Sequence, residues 1–303
     1  MVFDAADPRT QLTAVTASAV ASAYGPSSYI KFYEGDPQLE DASSRTWIGR
    51  GARFVVAYTE ASEEATFVRE AQADEYMVLL PDPEHGARVQ TSDEELSVAG
   101  GSVVIVPPGG STIVVPRGGR VVRIFSHLAT DLADLSANAA AYAREVPNIP
   151  DYEPWPESPH GNRVRVYSLE EEPVKGRFGR IWRCSTLMIN YSYPRQGPRD
   201  VRKMSPHAHE DFEQASLVLD GSFVHHLRYP WTVDMRTWRE DEHEICAGPS
   251  LAVIPAQAVH TSQQVGRDTN QLVDIFAPPR MDFSRLPGWV LNGDEYPMPE
   301  DQS

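Results

Sequence analysis

Cysteine is scarce in this chain: 303 residues contain two, Cys184 and Cys246, which do not have the spacing of a metal-binding pair. We therefore expect two buried free thiols in a reducing compartment rather than a disulfide or a cysteine–metal site. A chain of this length buries a sufficient core without cross-links, as two domains of ordinary size or as one large domain.

Positive charge is also in short supply, because 27 Lys and Arg face 43 Asp and Glu, for a formal net charge of −16. Such a surface repels phosphate backbones and anionic lipid. No apolar run has the length of a membrane span, and Asp4 and Asp7 stand where a signal peptide carries positive charge. We therefore predict a cytoplasmic protein that binds neither nucleic acid nor membrane and acts on a small molecule.

What the chain has in quantity is strand-like sequence. Short β-branched and aromatic clusters recur from Gly51 to Ser126 and again from about Arg163 to Ala277, separated by Gly, Pro and acidic turns. This pattern is typical of an all-β sandwich or barrel rather than of alternating strands and helices. Between the two regions, alanine-rich residues 129–144 have helical periodicity, and a proline-rich linker follows them.

One group of polar residues in the second region has the pattern of a metal site. His207 and His209 are two apart, so both rings point to one face of a strand. Gln214 follows five residues later, and His260 lies five residues after Pro255, beyond a second apolar strand. Inside a small barrel these four side chains can converge on one first-row divalent ion.

This pattern resembles the paired motifs of the cupin superfamily. The first motif, His-x-His followed by Glu or Gln and then Gly, ends here at Gly221, and the second, Gly followed by a strand and Pro-x-Gly-x-x-His, begins at Gly248. The departures are one extra residue before Pro255 and three substitutions: Gln214 for glutamate, Gln257 for glycine and Gln264 for asparagine.

The fourth ligand has two candidates, because Glu213 also satisfies the loose spacing of the first motif. The two side chains lie on opposite faces of a strand, so only one can bind the metal. The resemblance favours Gln214, which stands seven residues before the motif glycine. It implies one divalent transition metal, with Fe(II) preferred over Zn(II) or Mn(II), held by His207, His209, Gln214 and His260.

The first β-region carries a weaker copy of the same motifs. Pro107-x-Gly109-x-x-Thr112 matches the second motif with threonine in place of histidine, Glu75 matches the Glu or Gln position, and residues 68–71 contain no histidine. Such internal repetition indicates a duplicated barrel. We expect this barrel to bind no metal and to serve packing or dimerisation. We also expect the chain to form a homo-oligomer, a dimer.

The resemblance thus implies an all-β fold of two cupin-type antiparallel β-barrels (double-stranded β-helix, jelly-roll) with a connecting helix. The predicted division is an N-terminal arm packing on the barrels (1–49), a degenerate barrel (50–126), a helix and Pro-rich linker (127–162), a metal-binding barrel (163–278) and a C-terminal tail (279–303).

Catalytic candidates flank the metal motif. Alternation along a strand places one ring of the His225–His226 pair inward, where imidazole can transfer a proton near neutral pH; a surface pair is the alternative. Arg228, with Arg202 and Lys203, can form a positive patch at the barrel mouth that suits a carboxylate, or can pair with acidic neighbours.

Three imidazoles and an amide are all neutral and leave the full charge of the metal to bind anionic oxygens. The resemblance implies several activities, since cupins of similar layout include quercetin-cleaving dioxygenases, oxalate decarboxylases and sugar-acid isomerases. We predict an Fe(II)-dependent dioxygenase acting on a small, oxygen-rich acidic substrate. A metal-dependent isomerase or lyase, and a non-catalytic ligand-binding protein, are the alternatives.

Overall fold

A computed structural model describes residues 23–146, 148–149, 151–210 and 212–299. Antiparallel strands form almost all of its regular structure, which confirms the predicted all-β class. The strands up to the middle of the chain are β1 (Ser28–Lys31), β2 (Leu39–Glu40), β3 (Ser44–Arg50), β4 (Phe54–Ala61), β5 (Ala65–Gln72), β6 (Tyr76–Leu80), β7 (Ala87–Thr91), β8 (Glu95–Val98), β9 (Ser102–Val106), β10 (Gly109–Val115), β11 (Gly119–Ser126) and β12 (Arg165–Ser168). The strands that follow are β13 (Gly179–Arg183), β14 (Met188–Ser192), β15 (Arg195–Gln196), β16 (Glu213–Asp220), β17 (Ser222–Arg228), β18 (Glu242–Ala247), β19 (Ser250–Ile254), β20 (Val259–Gln264) and β21 (Thr269–Ala277).

These strands form two barrels, each made of a large and a small sheet. In the first barrel the large sheet has the order β12-β9-β6-β11-β4-β3-β2 and the small one β5-β10-β7-β8. In the second barrel the large sheet has the order β1-β19-β16-β21-β14-β13, with β15 on β21, and the small one is β18-β17-β20. The central strands β9-β6-β11 and β19-β16-β21 therefore occupy corresponding places.

At the edges of the sheets, some strands pair with a different barrel from the one that the predicted division of the chain assigns to them. β1, in the predicted arm, pairs with β19 of the second barrel, and β12, predicted to begin the second barrel, pairs with β9 of the first. β2 and β3 extend the first barrel's large sheet instead of lying on it. An edge strand presents unpaired N–H and C=O groups, and flanking chain segments satisfy them here. Residues 1–22 of the predicted arm and 300–303 of the predicted tail lie outside the described residues.

The two large sheets pack against each other and bury both faces of their central strands. Met77 and Leu79 of β6 join a core cluster with Leu217 and Ile275 of the second barrel, whereas alternate residues of β6 line the first barrel's interior. Burial on both faces explains why these strands read as nearly continuous apolar runs.

The predicted helix over 129–144 forms only in pieces. Thr130–Leu135 is an α-helix, α1, and Ala139–Tyr142 is a 3₁₀ turn. Ser136 ends α1 in extended geometry, and its hydroxyl donates to the carbonyl of Ala133 at 2.7 Å. A serine hydroxyl competes with the helix backbone in this way and favours such breaks. A second short helix, α2 (Met281–Ser284), follows β21, and no helix among the described residues has the length and apolar character needed to cross a membrane.

Candidate metal centre

Three histidines converge at one end of the second barrel. His207, just before β16, forms an isolated antiparallel bridge with His260 of β20, through N–H···O bonds of 2.8 and 3.1 Å. The backbone N–H of Gln257 donates to the carbonyl of His209 at 2.6 Å, from a turn in which Gln257 has a φ of 66° at the position of the motif glycine. One nitrogen from each ring of His207, His209 and His260 lies within 4.8 Å of the other two.

Backbone carbonyls determine which nitrogen of two of these rings carries the proton. His207 Nδ1 lies 2.8 Å from the carbonyl oxygen of Ser205, and His260 Nδ1 lies 2.9 Å from that of Ala258. Because a carbonyl oxygen only accepts, each Nδ1 donates and the lone pair of a neutral ring is left on Nε2. Backbone contacts of this kind commonly orient histidines that bind a metal.

The amide of Gln214 is oriented in the same way. Its Nε2 donates to Asp274 Oδ1 at 3.1 Å and to Ser216 Oγ at 3.2 Å, so Oε1 points towards His260 Nε2, 3.3 Å away. Two hydrogen-bond acceptors thus face each other without a proton between them. A cation that accepts both lone pairs resolves this mismatch, so the donor set fits a divalent metal ion.

Glu213 points away from this cluster. Its carboxylate accepts from the backbone N–H of Ala52 at 2.5 Å and of Arg53 at 3.3 Å, and from the hydroxyl of Tyr142 at 3.5 Å. Burial raises the pKa of this carboxyl to about 7, against the effect of those hydrogen bonds. Of the two candidates for the fourth ligand, the structure brings Gln214 to the histidines and gives Glu213 a place in the contact between the barrels.

Burial and neighbouring charge keep two of the clustered imidazoles, those of His209 and His260, free of protons. Burial, followed by the charge of Arg280, lowers the pKa of His209 to about 2, and burial lowers the pKa of His260 to about 4. Both rings are neutral at neutral pH and offer a lone pair without first losing a proton. Burial also raises the pKa of Asp274, although hydrogen bonds from Ser216 and Asn190 oppose this effect.

A cavity of about 1000 Å³ opens beside the cluster, with His207, Gln214 and His260 in its wall. Its lining has more positive than negative side chains: Arg195, Arg199, Lys203 and Arg280 against Asp200 and Asp274. Among the described residues, none of Arg195, Arg199 and Lys203 forms an ion pair with a carboxylate. The cavity therefore favours an anionic ligand.

Arg280 is the functional candidate that sequence reasoning missed. It is 7% exposed, its guanidinium carbon lies 3.6 Å from the centre of the Phe283 ring, and it forms an ion pair with Asp282 at 2.6 Å. Its Nη1 lies 3.5 Å from His209 Nε2, next to the space that a metal would occupy.

Of the predicted catalytic pair, His225 is the inward residue. It is fully buried, its Nδ1 lies 2.9 Å from Ser262 Oγ, and its Nε2 has no hydrogen-bond partner among the described residues. The ring itself does not line the cavity, but Ser262 does. His225 is therefore placed to act on the cavity through the Ser262 hydroxyl.

The structure does not bring His226 or Arg228 to the cavity. His226 lies on the outer face of β17, with Nδ1 2.8 Å from His243 Nδ1, and Arg228 is paired at 2.5 Å with Asp241 while 71% of its side chain is exposed. Strand alternation is the reason, because Phe223, His225 and Leu227 take the inward positions. Arg202 is likewise exposed and paired, so Lys203 alone of the predicted positive patch lines the cavity.

His225 makes protein stability dependent on pH. Burial, with smaller effects of His260 and His226, lowers the pKa of His225 from 6.5 to about 4. Below pH 6.5 this histidine binds a proton in the unfolded chain but stays neutral in the folded protein. The free energy of unfolding therefore falls as the pH drops towards 4, and this ring contributes about 3 kcal/mol to that loss. Between pH 6.5 and 4, the free energy of unfolding of His225→Phe should fall by about 3 kcal/mol less than that of the wild type, as measured by urea unfolding at each pH. His226→Phe is the control, and equal pH dependence in all three proteins would contradict the assignment.

Solved structures provide the only comparison that gives matches, since no protein-family profile and no curated sequence matches the chain. Oxalate decarboxylase of Lactobacillus farciminis, in a formate complex, is 13% identical with a TM-score of 0.55, covering 89% of this chain and 96% of that one. Oxalate decarboxylase of Bacillus subtilis, studied for its Mn(II) centres, is 12% identical with a TM-score of 0.55, covering 92% and 85%. AerE from Microcystis aeruginosa is 8% identical with a TM-score of 0.54, covering 85% and 99%. The likeness is one of fold: the chain consists of two cupin-type antiparallel β-barrels joined through a short helix, as its motifs implied.

Proposed function

We propose that the chain is a metal-dependent enzyme acting on a small, oxygen-rich substrate with at least one acidic group. The observation that carries this proposal is that Gln214 Oε1 and His260 Nε2, both with lone pairs, lie 3.3 Å apart beside the imidazoles of His207 and His209. His207, Gln214 and His260 lie in the wall of a large cavity. Two buried acceptors that face each other without a donor lower the stability of the folded protein, unless a cation lies between them and accepts both lone pairs.

The proposed ligands are the imidazoles of His207, His209 and His260 and the amide oxygen of Gln214. All four are neutral, so a bound divalent ion would supply an uncompensated Lewis acid with two coordination positions open for substrate or water. We propose Fe(II), with Mn(II) and Zn(II) as the alternatives. Asp274 contributes indirectly, because its carboxylate holds the Gln214 amide in the orientation that directs Oε1 inward.

The acidic group of the substrate is proposed to bind Arg280. Asp282 accepts from Nε and Nη2 of this guanidinium and, with the Phe283 ring, holds it in place, while Nη1 faces the histidine cluster and can donate to a carboxylate oxygen. Arg199 and Lys203 at the cavity wall add positive charge that attracts an anion from solution. The fold relatives named as oxalate decarboxylases act on a small dicarboxylate, which supports an acid of this class.

Two reaction classes compete for this centre. We propose the dioxygenase, in which the substrate binds through two anionic oxygens and reacts with molecular oxygen. The second candidate is an isomerase or lyase, and the contact of His225 with Ser262 favours it, because a neutral imidazole behind a hydroxyl can take up and return a proton.

Activity with and without oxygen separates these candidates. Freshly purified protein, loaded in parallel with Fe(II), Mn(II) or Zn(II), is to be screened against hydroxy acids, enols, catechols and oxalate, with oxygen uptake and product formation followed together. A dioxygenase turns over only with Fe(II) and oxygen, whereas an isomerase or lyase gives the same product anaerobically. If metal-loaded protein binds these acids and converts none of them, the enzyme proposal fails and a ligand-binding protein remains.

Variants of the adjacent residues His225 and His226 of β17 test whether His225 takes part in proton transfer. We expect His225→Gln to lower turnover about a hundredfold without loss of metal, the usual scale for removing acid–base help, because a glutamine amide beside the Ser262 hydroxyl cannot take up and return a proton. The pH–rate profile should lose one limb, an effect that loosened packing alone would not produce. His226→Gln, on the outer face of the same strand, should keep normal turnover. Equal losses in both variants would reject this role for His225.

A further inference from the structure

The first barrel places a second set of polar side chains where the second barrel has its candidate metal centre. The central strands β9-β6-β11 correspond to β19-β16-β21 in order and direction. Gln214 pairs with Ile254 at the end of β19, and Tyr76 pairs with Val106 at the end of β9. Tyr76 therefore occupies the position of Gln214. The Glu75 side chain, which the sequence matched to Gln214, instead accepts hydrogen bonds from Ser185 and Tyr296, outside the barrel interior.

A buried arginine takes the place of Asp274. Two residues beyond Gln214, Ser216 pairs with Asp274 of β21; two residues beyond Tyr76, Val78 pairs with Arg123 of β11. The first barrel thus has a cation where the second has an anion.

Hydroxyl and guanidinium groups replace two of the histidines. His207 pairs with His260 in the second barrel, and Arg69 pairs with Ser111 in the first. The Tyr76 hydroxyl and Ser111 Oγ lie 2.9 Å apart, as Gln214 and His260 approach within 3.3 Å. The sequence had matched Thr112 to His260, but a register shift between Gly109 and Ser111 turns Ser111 inward instead.

Arg123 lacks a counter-charge. It is 6% exposed, its Nε is buried without a partner, and no carboxylate among the described residues pairs with it. Its guanidinium carbon lies 4.3 Å from the centre of the Phe67 ring, in a cation–π contact. Burial lowers the pKa of Arg123 to about 10, so the group is still charged at neutral pH. A cation–π contact is far weaker than the penalty for burying an unpaired charge.

The charge of neighbouring Arg69 is already balanced. Its guanidinium donates to both carboxylate oxygens of Asp131, at 2.6 and 3.0 Å, and its Nε donates to Gln72. The cluster therefore carries one uncompensated positive charge, on Arg123, together with the Tyr76 and Ser111 hydroxyls, whose mutual hydrogen bond leaves one hydroxyl hydrogen free to donate to an anion. It contains no imidazole that would suit a transition metal.

We propose that the first barrel binds a small monovalent carboxylate between the guanidinium of Arg123 and the hydroxyls of Tyr76 and Ser111. One unbalanced charge calls for a monoanion, and a guanidinium fork matches the two coplanar oxygens of a carboxylate better than it matches a halide. This binding site is independent of the reaction proposed for the second barrel.

The test uses acetate as the probe and the full-length, metal-loaded protein. Sodium acetate is titrated by calorimetry in a sulfonate buffer at constant ionic strength, with sodium chloride titrated in parallel. Three proteins are compared, each saturated with oxalate beforehand so that the carboxylate site proposed for the second barrel is filled: the wild type, Arg123→Met, and Arg280→Met as the control that lacks the arginine of the second barrel.

We expect a saturable acetate signal in the wild type that persists in Arg280→Met and becomes about 100-fold weaker in Arg123→Met, since hydrogen bonds from a charged donor are lost. Arg123→Lys keeps the charge without the fork and should bind about tenfold more weakly. Tyr76→Phe provides a second readout, with weaker acetate binding, should Arg123→Met fail to fold. The proposal is overturned if no acetate signal survives in Arg280→Met, if Arg123→Met or Tyr76→Phe binds acetate as the wild type does, or if chloride binds equally well.

Discussion

Replacing His260 with alanine is expected to remove stoichiometric metal from the protein. His260 supplies a buried Nε2 lone pair directed at Gln214 Oε1, and its backbone bridge to His207 persists without the side chain. Losing a partner outside the ligand shell commonly costs 10- to 100-fold in metal affinity, so losing a ligand should cost more than about 100-fold. Elemental analysis after equilibrium dialysis against Fe(II), Mn(II) or Zn(II) measures the effect.

A histidine on the outer face of the same barrel serves as the control. His226→Ala removes an imidazole from β17 without touching the cluster, and it should leave one metal per chain. Circular dichroism should show both variants folded, because His260 makes its hydrogen bonds to β17 and His207 through its backbone. Full metal content in His260→Ala would show that the ligand set is different.

Replacing Arg280 with methionine should weaken the binding of a small dicarboxylate by about 30- to 1000-fold, the usual range when one partner of a buried charge pair is removed. The guanidinium is held between the Phe283 ring and Asp282 and lies beside His209, so no other cation reaches the same position in the described structure. Oxalate titrated into metal-loaded protein by calorimetry gives the dissociation constant.

An exposed arginine serves as the control for Arg280. Arg228→Met removes an exposed guanidinium paired with Asp241 and should leave the oxalate affinity unchanged. Arg280→Met should retain its metal, because Arg280 is not a ligand; a rise in metal affinity is acceptable, since a neighbouring positive charge is removed. Unchanged oxalate affinity in Arg280→Met would exclude this arginine from the substrate site.

The convergence of the side chains at the candidate metal centre could be predicted because its signal is local. His-x-His, the spacing from Gln214 to Gly221 and the turn before His260 fix three short segments, and strand alternation separates Gln214 from Glu213. The fold class followed from the same motifs together with the recurrence of short apolar strands.

What the sequence could not supply depended on tertiary geometry. Arg280 reaches the cavity from the segment after β21, where no periodicity applies. Strand alternation predicted that one ring of the His225–His226 pair points inward. It could not predict which ring, because that depends on the register of β17 against β20. The exchange of β1 and β12 between the barrels is set by which sheet edges lack a neighbour, and four-residue strands carry little pattern of their own.

Anomalous diffraction at the metal absorption edge, on crystals of the freshly purified protein, locates the bound metal and its ligands directly. We expect one peak per chain, bonded to imidazole nitrogens of His207, His209 and His260 and to the Gln214 amide oxygen, with open positions facing the cavity. A peak on Glu213, a peak in the first barrel beside Arg123, or metal-loaded protein with no peak at the three histidines would contradict this expectation.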